Sequence, residues 1–180
     1  MKILSESVSV NDIAFNDYSI IIEQANSKKP GRMKIRGPYI CCDKRNVNGR
    51  IYKFDYMSKE VIPEYDRIWI SQHRAYAELN HAQSHVVDVK NACDLILSLT
   101  PEGTTYIGES EVLNSNSQFG IPGTPNGDIL AAILMHGGKI GKSTRGAVDD
   151  PKNPIIDENN KFSLITVDSV LDPSRSWVLH

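Results

Sequence analysis

Cysteine, excess charge of either sign and long apolar runs are all scarce in this chain, and each scarcity removes a class of protein. Three cysteines among 180 residues is a small and odd number, and two of them are neighbours, Cys41 and Cys42, whose side chains would leave a strand on opposite faces. No disulfide framework is expected. Without a C-x-x-C spacing no zinc site is expected either, and each of Cys41, Cys42 and Cys93 reads as a reduced, partly buried thiol. Lysine and arginine number 20 against 22 acidic residues, a formal charge of -2, so no overall field draws the chain to nucleic acid or to an anionic membrane. No apolar stretch approaches the ~18 residues of a membrane span, and Met1 to Val10 has one lysine and no apolar run of signal-peptide length. The expectation is a soluble protein made in a cytosol, with neither a nucleic-acid nor a membrane partner.

What is present suits one compact domain. The chain is 40% hydrophobic and 23% charged, and its length fits a single unit spanning residues 1–180, since domains run to about 100–200 residues. The first 16 residues are expected to form a flexible terminus. Tyr18 to Gln24 and Met33 to Cys42 are rich in strand formers on either side of a Lys-Pro-Gly turn and read as an antiparallel pair. The basic cluster Lys28, Lys29, Arg32, Lys34 and Arg36 alternates with apolar residues after Gly31, which fits the wet face of a strand better than a phosphate track. Val61, Ile62, Tyr65, Ile68 and Trp69 recur at helical spacing, predicting an amphipathic helix over Met57 to His73 with Pro63 tolerable only near its first turn.

Val86 to Val89, Ala92 to Thr100 and Thr104 to Leu113 read as strands, the last two joined by a Pro-Glu-Gly hairpin turn. Asn114 to Gly127, with its Gly, Pro, Asn and Ser, reads as a long exposed loop, either a wall or lid for substrate or a plain surface loop. Asp128 opens a short helix over Ile129 to Met135 that ends at Gly137-Gly138, and Lys161 to Val170 is a last strand. Strands outnumber helices, which predicts a β-rich mixed α/β domain.

Chemistry concentrates in residues 136–146. Gly137-Gly138-Lys139-Ile140-Gly141-Lys142-Ser143-Thr144 suggests a phosphate loop, but His136 stands where the pattern needs Gly, and Gly146 and Pro151 stop any long helix after it. Read as Gly-x-Ser-Thr-Arg-Gly, the same segment sets a hydroxyl between glycines, where a sharp turn could leave amides free for an oxyanion. A serine hydroxyl needs a base, most often histidine, whose ordinary pKa is near ~6.5. Of five histidines, His180 is terminal, while His73 and His136 fall at helix ends where an imidazole favours the dipole; His81 and His85 are not separated by spacing alone.

Three ordered segments bear a family resemblance. Asn46-Val47-Asn48-Gly49-Arg50-Ile51-Tyr52, then Ala77-Glu78-Leu79-Asn80-His81, then Gly141-Lys142-Ser143-Thr144-Arg145-Gly146, followed by Val167-Asp168-Ser169-Val170 with Pro173-Ser174, resemble the T4-type prohead core proteases, relatives of the herpesvirus assembly proteases. The family has Gly before the Glu and Pro after the His, where this chain has Ala77 and Ala82. The resemblance implies Ser143 as nucleophile and His81 as base, and a closed, mainly antiparallel β-barrel surrounded by helices. It further implies a capsid-maturation endopeptidase that works inside the prohead in the host cytoplasm, takes scaffold, core and major capsid proteins as substrates and cleaves them after glutamate. It implies frequent self-processing, for which Leu4-Ser5-Glu6 is a candidate motif. Asp168 is the preferred third member, because an acid on a strand flanked by Val167 and Val170 needs a partner or solvent, with Glu78 and Asp88 as rivals. Backbone amides of Thr144 to Gly146 are expected to hold the oxyanion, with Arg145 aiding them or binding a substrate carboxylate. No cofactor or metal is expected, self-association is open, and the alternative is a non-catalytic capsid-assembly or scaffold-binding module on the same fold.

Overall fold

The computed structural model describes residues 1–7, 18–22 and 32–171. Ten strands carry the fold: β1 (Lys2–Ser7), β2 (Ser19–Ile22), β3 (Met33–Cys41), β4 (Ile51–Tyr52), β5 (Tyr76–Glu78), β6 (Ala92–Glu102), β7 (Thr105–Val112), β8 (Gly141–Val148), β9 (Ile155–Ile156) and β10 (Phe162–Val170). They form a five-stranded sheet in the order β2-β3-β7-β6-β5, a three-stranded sheet β1-β8-β10 and a small parallel pair β4-β9. The first two sheets are antiparallel throughout, and a bridge between Leu79 and Ser169 links them. Among the described residues the ladders run as these separate sheets and not as one closed ring. Among the described residues helix is confined to a stretch over residues 54–70, α3 (Pro125–Met135) and short 3-10 turns, so the mixed, strand-rich class holds and helices are few.

The period-2 signal locates the large sheet well. Along β7 partly buried and buried residues alternate without a break, as expected of a strand with one face on the core. Across β3 and β7 the wet face carries Arg32 on Glu111 at 2.6 Å and Lys34 on Glu109 at 3.3 Å, so the described part of the basic cluster is a strand's solvent face. Lys28 and Lys29 lie outside the described residues. Three expectations change. Residues 2–7, predicted as flexible, pair with β8 as a strand; Val86 to Val89 is irregular and leads into a 3-10 turn, Val89–Asn91; and Gly141 to Gly146, predicted as a turn, belong to strand β8.

The helical stretch also differs from its prediction. It begins at Phe54, ends at Ile70 and carries Pro63 in its middle, between α1 (Phe54–Tyr56), α2 (Ile62–Tyr65) and two π turns, Met57–Val61 and Asp66–Ile70. Proline has no N–H to reach the carbonyl four residues back and its ring crowds that carbonyl. The π turn before it absorbs the mismatch: Ile62 N–H bonds Met57 O, one residue further back than in an α-helix. The apolar face of this stretch, with Tyr56, Met57, Val61, Ile62 and Tyr65, packs against Phe162, Leu164 and Val167 of β10 in the larger core cluster. A second cluster seats Leu130 and Leu134 of α3 on Ile35, Cys93 and Val112.

Candidate active site

β8 is buried along its whole length, although its sequence is Gly-Lys-Ser-Thr-Arg-Gly-Ala-Val. Every polar side chain on it therefore needs an internal partner, since an unpaired buried charge is strongly destabilising. Strand alternation divides those side chains between two faces. Lys142 goes one way and Ser143 with Arg145 the other.

On the Ser143 face, the ladder sets Asp168 of β10 directly opposite Ser143. The third group arrives from another sheet. After β5 the chain is tied to β10 by the Leu79–Ser169 bridge and by Asn80 N–H on Ser169 O at 2.8 Å. Asn80 then takes a left-handed backbone conformation, φ 64°, which asparagine tolerates better than most residues. That turn delivers His81 over the ladder. His81 Nε2 lies 2.6 Å from Ser143 Oγ, and His81 Nδ1 lies 2.9 Å from Asp168 Oδ2. A carboxylate only accepts, so it selects the tautomer with hydrogen on Nδ1 and leaves Nε2 to accept from the serine hydroxyl. The sequence-predicted Ser143, His81 and Asp168 thus form one continuous hydrogen-bonded line.

The rival residues have other work. Asp88 caps the 3-10 turn, its carboxylate accepting from Lys90 N–H at 3.0 Å. His85 is exposed and donates from Nε2 to Met1 O at 3.2 Å. Glu78 is buried, and its Oε2 accepts from Arg145 Nη2 at 2.6 Å and from Asp88 N–H at 3.3 Å.

Arg145 corrects an expectation. Its guanidinium is fully buried beneath the line of three, bonding Asp168 Oδ1 at 3.3 Å and the carbonyls of Ala82 at 3.4 Å and Ser84 at 3.3 Å. Its Nε is 3.0 Å from Asp168 Oδ2 without hydrogen-bond alignment, a charge contact on the oxygen that His81 also uses. Asp168 Oδ1 accepts in addition from Glu78 N–H at 3.0 Å. The Asp168 carboxylate is therefore held from three elements.

The turn expected around Thr144, Arg145 and Gly146 is likewise replaced by strand. All three residues pair with β1 on one side, and β10 runs along the other, so their amides are engaged in ladders in this arrangement. Gly146 is required by packing: a Cβ there would stand 2.1 Å from the Phe162 ring. Ser143 itself has no exposed surface, and the His81 side chain is 10% exposed. Ser7 of β1 lies opposite Ser143 on the free side of the ladder.

On the other face, Lys142 Nζ makes a short ion pair with Asp94, whose Oδ2 also accepts from Ser169 Oγ at 2.9 Å. The Tyr39 ring lies 5.0 Å from the ammonium. Burial, the largest influence, pushes this lysine down, but the Asp94 carboxylate together with Tyr39 and Cys93 outweighs it and holds Lys142 above its ordinary value. Burial pushes Tyr39 up to about 12, with Lys142 opposing. A lysine spent in this way has no ammonium for a phosphate, and a strand where a helix should begin removes the nucleotide reading. Sequence reasoning missed this pair, and only the oddity of Lys and Asp inside strand-like apolar runs signals it.

The long loop is tied down. The Asp128 carboxylate accepts from Ser115 N–H at 2.6 Å and Ser115 Oγ at 2.7 Å, while Thr124 caps α3 through Gly127 N–H at 2.9 Å. Those same Ser115 bonds hold Asp128 below the usual carboxylate value. Among the described residues no cluster of His, Cys, Asp or Glu is arranged to hold a metal, and no helix is long and apolar enough to cross a membrane.

The sequence model of the prohead core protein serine protease family matches residues 17–179. No curated protein matches the chain. Among solved structures, that of the bacteriophage T4 capsid assembly protease, gp21, is similar with a TM-score of 0.74 over 96% of this chain and 98% of that one, at 23% identity. A match at that identity speaks for a shared fold. The family match over residues 17–179 establishes the chain as a serine protease belonging to the prohead core protein family.

Proposed function

We propose that this protease is a capsid-maturation endopeptidase using Ser143 as nucleophile, His81 as base and Asp168 as the acid that orients it. The observation that carries the reading is the line of contacts from Asp168 Oδ2 through His81 to Ser143 Oγ, at 2.9 and 2.6 Å. Ser143 Oγ attacks the scissile carbonyl as its proton passes to His81 Nε2; the imidazolium then protonates the leaving amine, and water resolves the acyl-enzyme by the reverse route. Substrates are the scaffold, core and major capsid proteins of a prohead, the protease working inside that shell in the host cytoplasm and cleaving after glutamate. The binding-module alternative would need no such line of three.

Self-processing is supported by register. Along the β1-β8 ladder Glu6 lies opposite Thr144 and Ser7 opposite Ser143, so the peptide bond after Leu4-Ser5-Glu6 reaches the position of the nucleophile along the strand. While β1 stays paired, it occupies the free edge of β8. Its departure would release the amides that β8 turns to that edge, every second one, and those among Thr144 to Gly146 that face it are then the donors for the oxyanion and for an incoming extended peptide, while the rest stay in the β10 ladder.

The test uses the full chain and a core or scaffold protein as substrate. Cleavage by the unmodified chain, its loss in Ser143→Ala and His81→Ala, and a new N-terminus at Ser7 are expected. Binding of the substrate without any cleavage, or an intact Met1 after prolonged incubation of active enzyme, would contradict the maturation and self-processing readings respectively.

A further inference from the structure

Two buried carboxylates, Glu78 and Asp168, share one guanidinium, Arg145, beneath His81. Triad geometry needs only Asp168. Arg145 has an evident use, since it holds Asp168 and also the carbonyls of Ala82 and Ser84, which fix the segment just after His81. The same arginine carries a cost, because a positive charge against Asp168 weakens the pull of that carboxylate on the imidazolium that forms during catalysis.

We propose that Glu78 is a positioning residue of the reaction, which offsets the charge of Arg145 and so keeps the buried site one net negative charge in favour of protonated His81. The proposal rests on the roles given above to Ser143, His81 and Asp168. Before reaction the two carboxylates and one guanidinium sum to one negative charge beside neutral His81. When the proton moves from Ser143 Oγ to His81 Nε2, the imidazolium brings these side chains to neutrality while the negative charge passes to the oxyanion. Without Glu78 the same step would turn a neutral buried set into a positive one, which a low-dielectric interior penalises.

The charged groups packed around His81 are Asp168 from β10, Arg145 from β8 and Glu78 from β5, with Asp88 and His85 on the segment that follows. Lys142 and Asp94 form their own pair on the opposite face of β8 and enter both sides of the comparison equally. Glu78 also receives Asp88 N–H, so a purely structural role is the competing account, and the two differ in what pH does.

The experiment measures kcat/KM against pH for the full chain and for Glu78→Gln, which keeps size and can still accept from Arg145. The plateau should fall about tenfold and the acidic limb should move to lower pH by about one unit, the size expected for removing one charge a few ångströms from the base at a moderate effective dielectric. Adding Arg145→Gln to Glu78→Gln restores one net negative charge and should move the limb back towards its original position. Glu78→Asp, which keeps the charge, should leave the limb in place; if Glu78→Gln does not fold, that variant and Arg145→Gln, with an expected upward shift, carry the test. A lower plateau with the limb unmoved in every folded variant overturns the proposal. Hydrolysis that survives Ser143→Ala would overturn the triad reading itself, and this inference with it, whereas Ser143-dependent activity with an unmoved limb defeats only the role given to Glu78.

Discussion

Asp168 and Ser143 are cross-strand neighbours on β10 and β8, so the proposed acid and nucleophile are positioned by one backbone ladder while His81, the proposed base, is brought to them from a different sheet. The ladder fixes two of the three groups to within the tolerance of a strand pair. Precision in the third depends on how the chain leaves β5.

Replacing Asp168 by Asn keeps the shape and removes the charge that selects the His81 tautomer. The expected outcome is a fall in kcat of roughly 10³ to 10⁴-fold. Turnover by Asp168→Asn on a peptide substrate, with folding checked by circular dichroism, tests it; a loss under tenfold would leave Asp168 a structural acid.

The delivery of His81 depends on the left-handed conformation of Asn80. Asn80→Gly should keep nearly full activity, because glycine adopts that conformation without penalty. Asn80→Val should cost about 1–2 kcal/mol in strain or swing His81 away from Ser143, and so lower activity by tenfold or more. Equal activity of the two variants would show that the backbone at residue 80 is not what aims the base.

Lys142 and Asp94 are each fully buried and hydrogen-bonded. Lys142→Ala leaves an uncompensated carboxylate and should destabilise the fold by ~3–5 kcal/mol, read from urea denaturation midpoints. Neither the unmodified chain nor the variant should bind ATP. A stable variant that loses measurable ATP affinity would revive the phosphate-loop reading.

At Gly146 even a methyl group meets the Phe162 ring. Gly146→Val should lower the melting temperature, overpacking of this kind costing about 1–3 kcal/mol or more where the ring cannot retreat. Gly146→Val combined with Phe162→Leu should recover part of that loss. No recovery would argue that the glycine serves its backbone, and that slower turnover in Gly146→Val reports a catalytic amide.

Much of the fold was legible because it obeys local rules. The β6-β7 hairpin follows from alternation about a Pro-Glu-Gly turn, the β2-β3 pair from strand formers flanking a Lys-Pro-Gly segment, and α3 from its acidic first turn and Gly-Gly end. β8 was not legible as a strand. Its Lys, Ser and Arg are buried by virtue of Asp94, His81, Glu78 and Asp168, all distant in sequence, and a linear pattern of Gly and polar residues without those partners looks like a turn. The same reason hid Arg145, whose partners come from β5, β10 and the segment after His81. β5 is only three residues long, below the length at which periodicity speaks, and the π turns beside Pro63 have no signature beyond the proline itself. Ser143 and His81 were named through a family resemblance, while the placing of Asp168 opposite Ser143, with Glu78 and Asp88 elsewhere, is a property of the ladder.

The central claim is that Ser143 becomes nucleophilic through His81. The most direct measurement is reaction of the full chain with a serine-directed phosphonylating probe, followed by peptide mapping, in the unmodified protein and in His81→Ala. The account predicts a single adduct on Ser143 that disappears in the variant; an adduct on another residue, or labelling of Ser143 that is indifferent to His81, would contradict it.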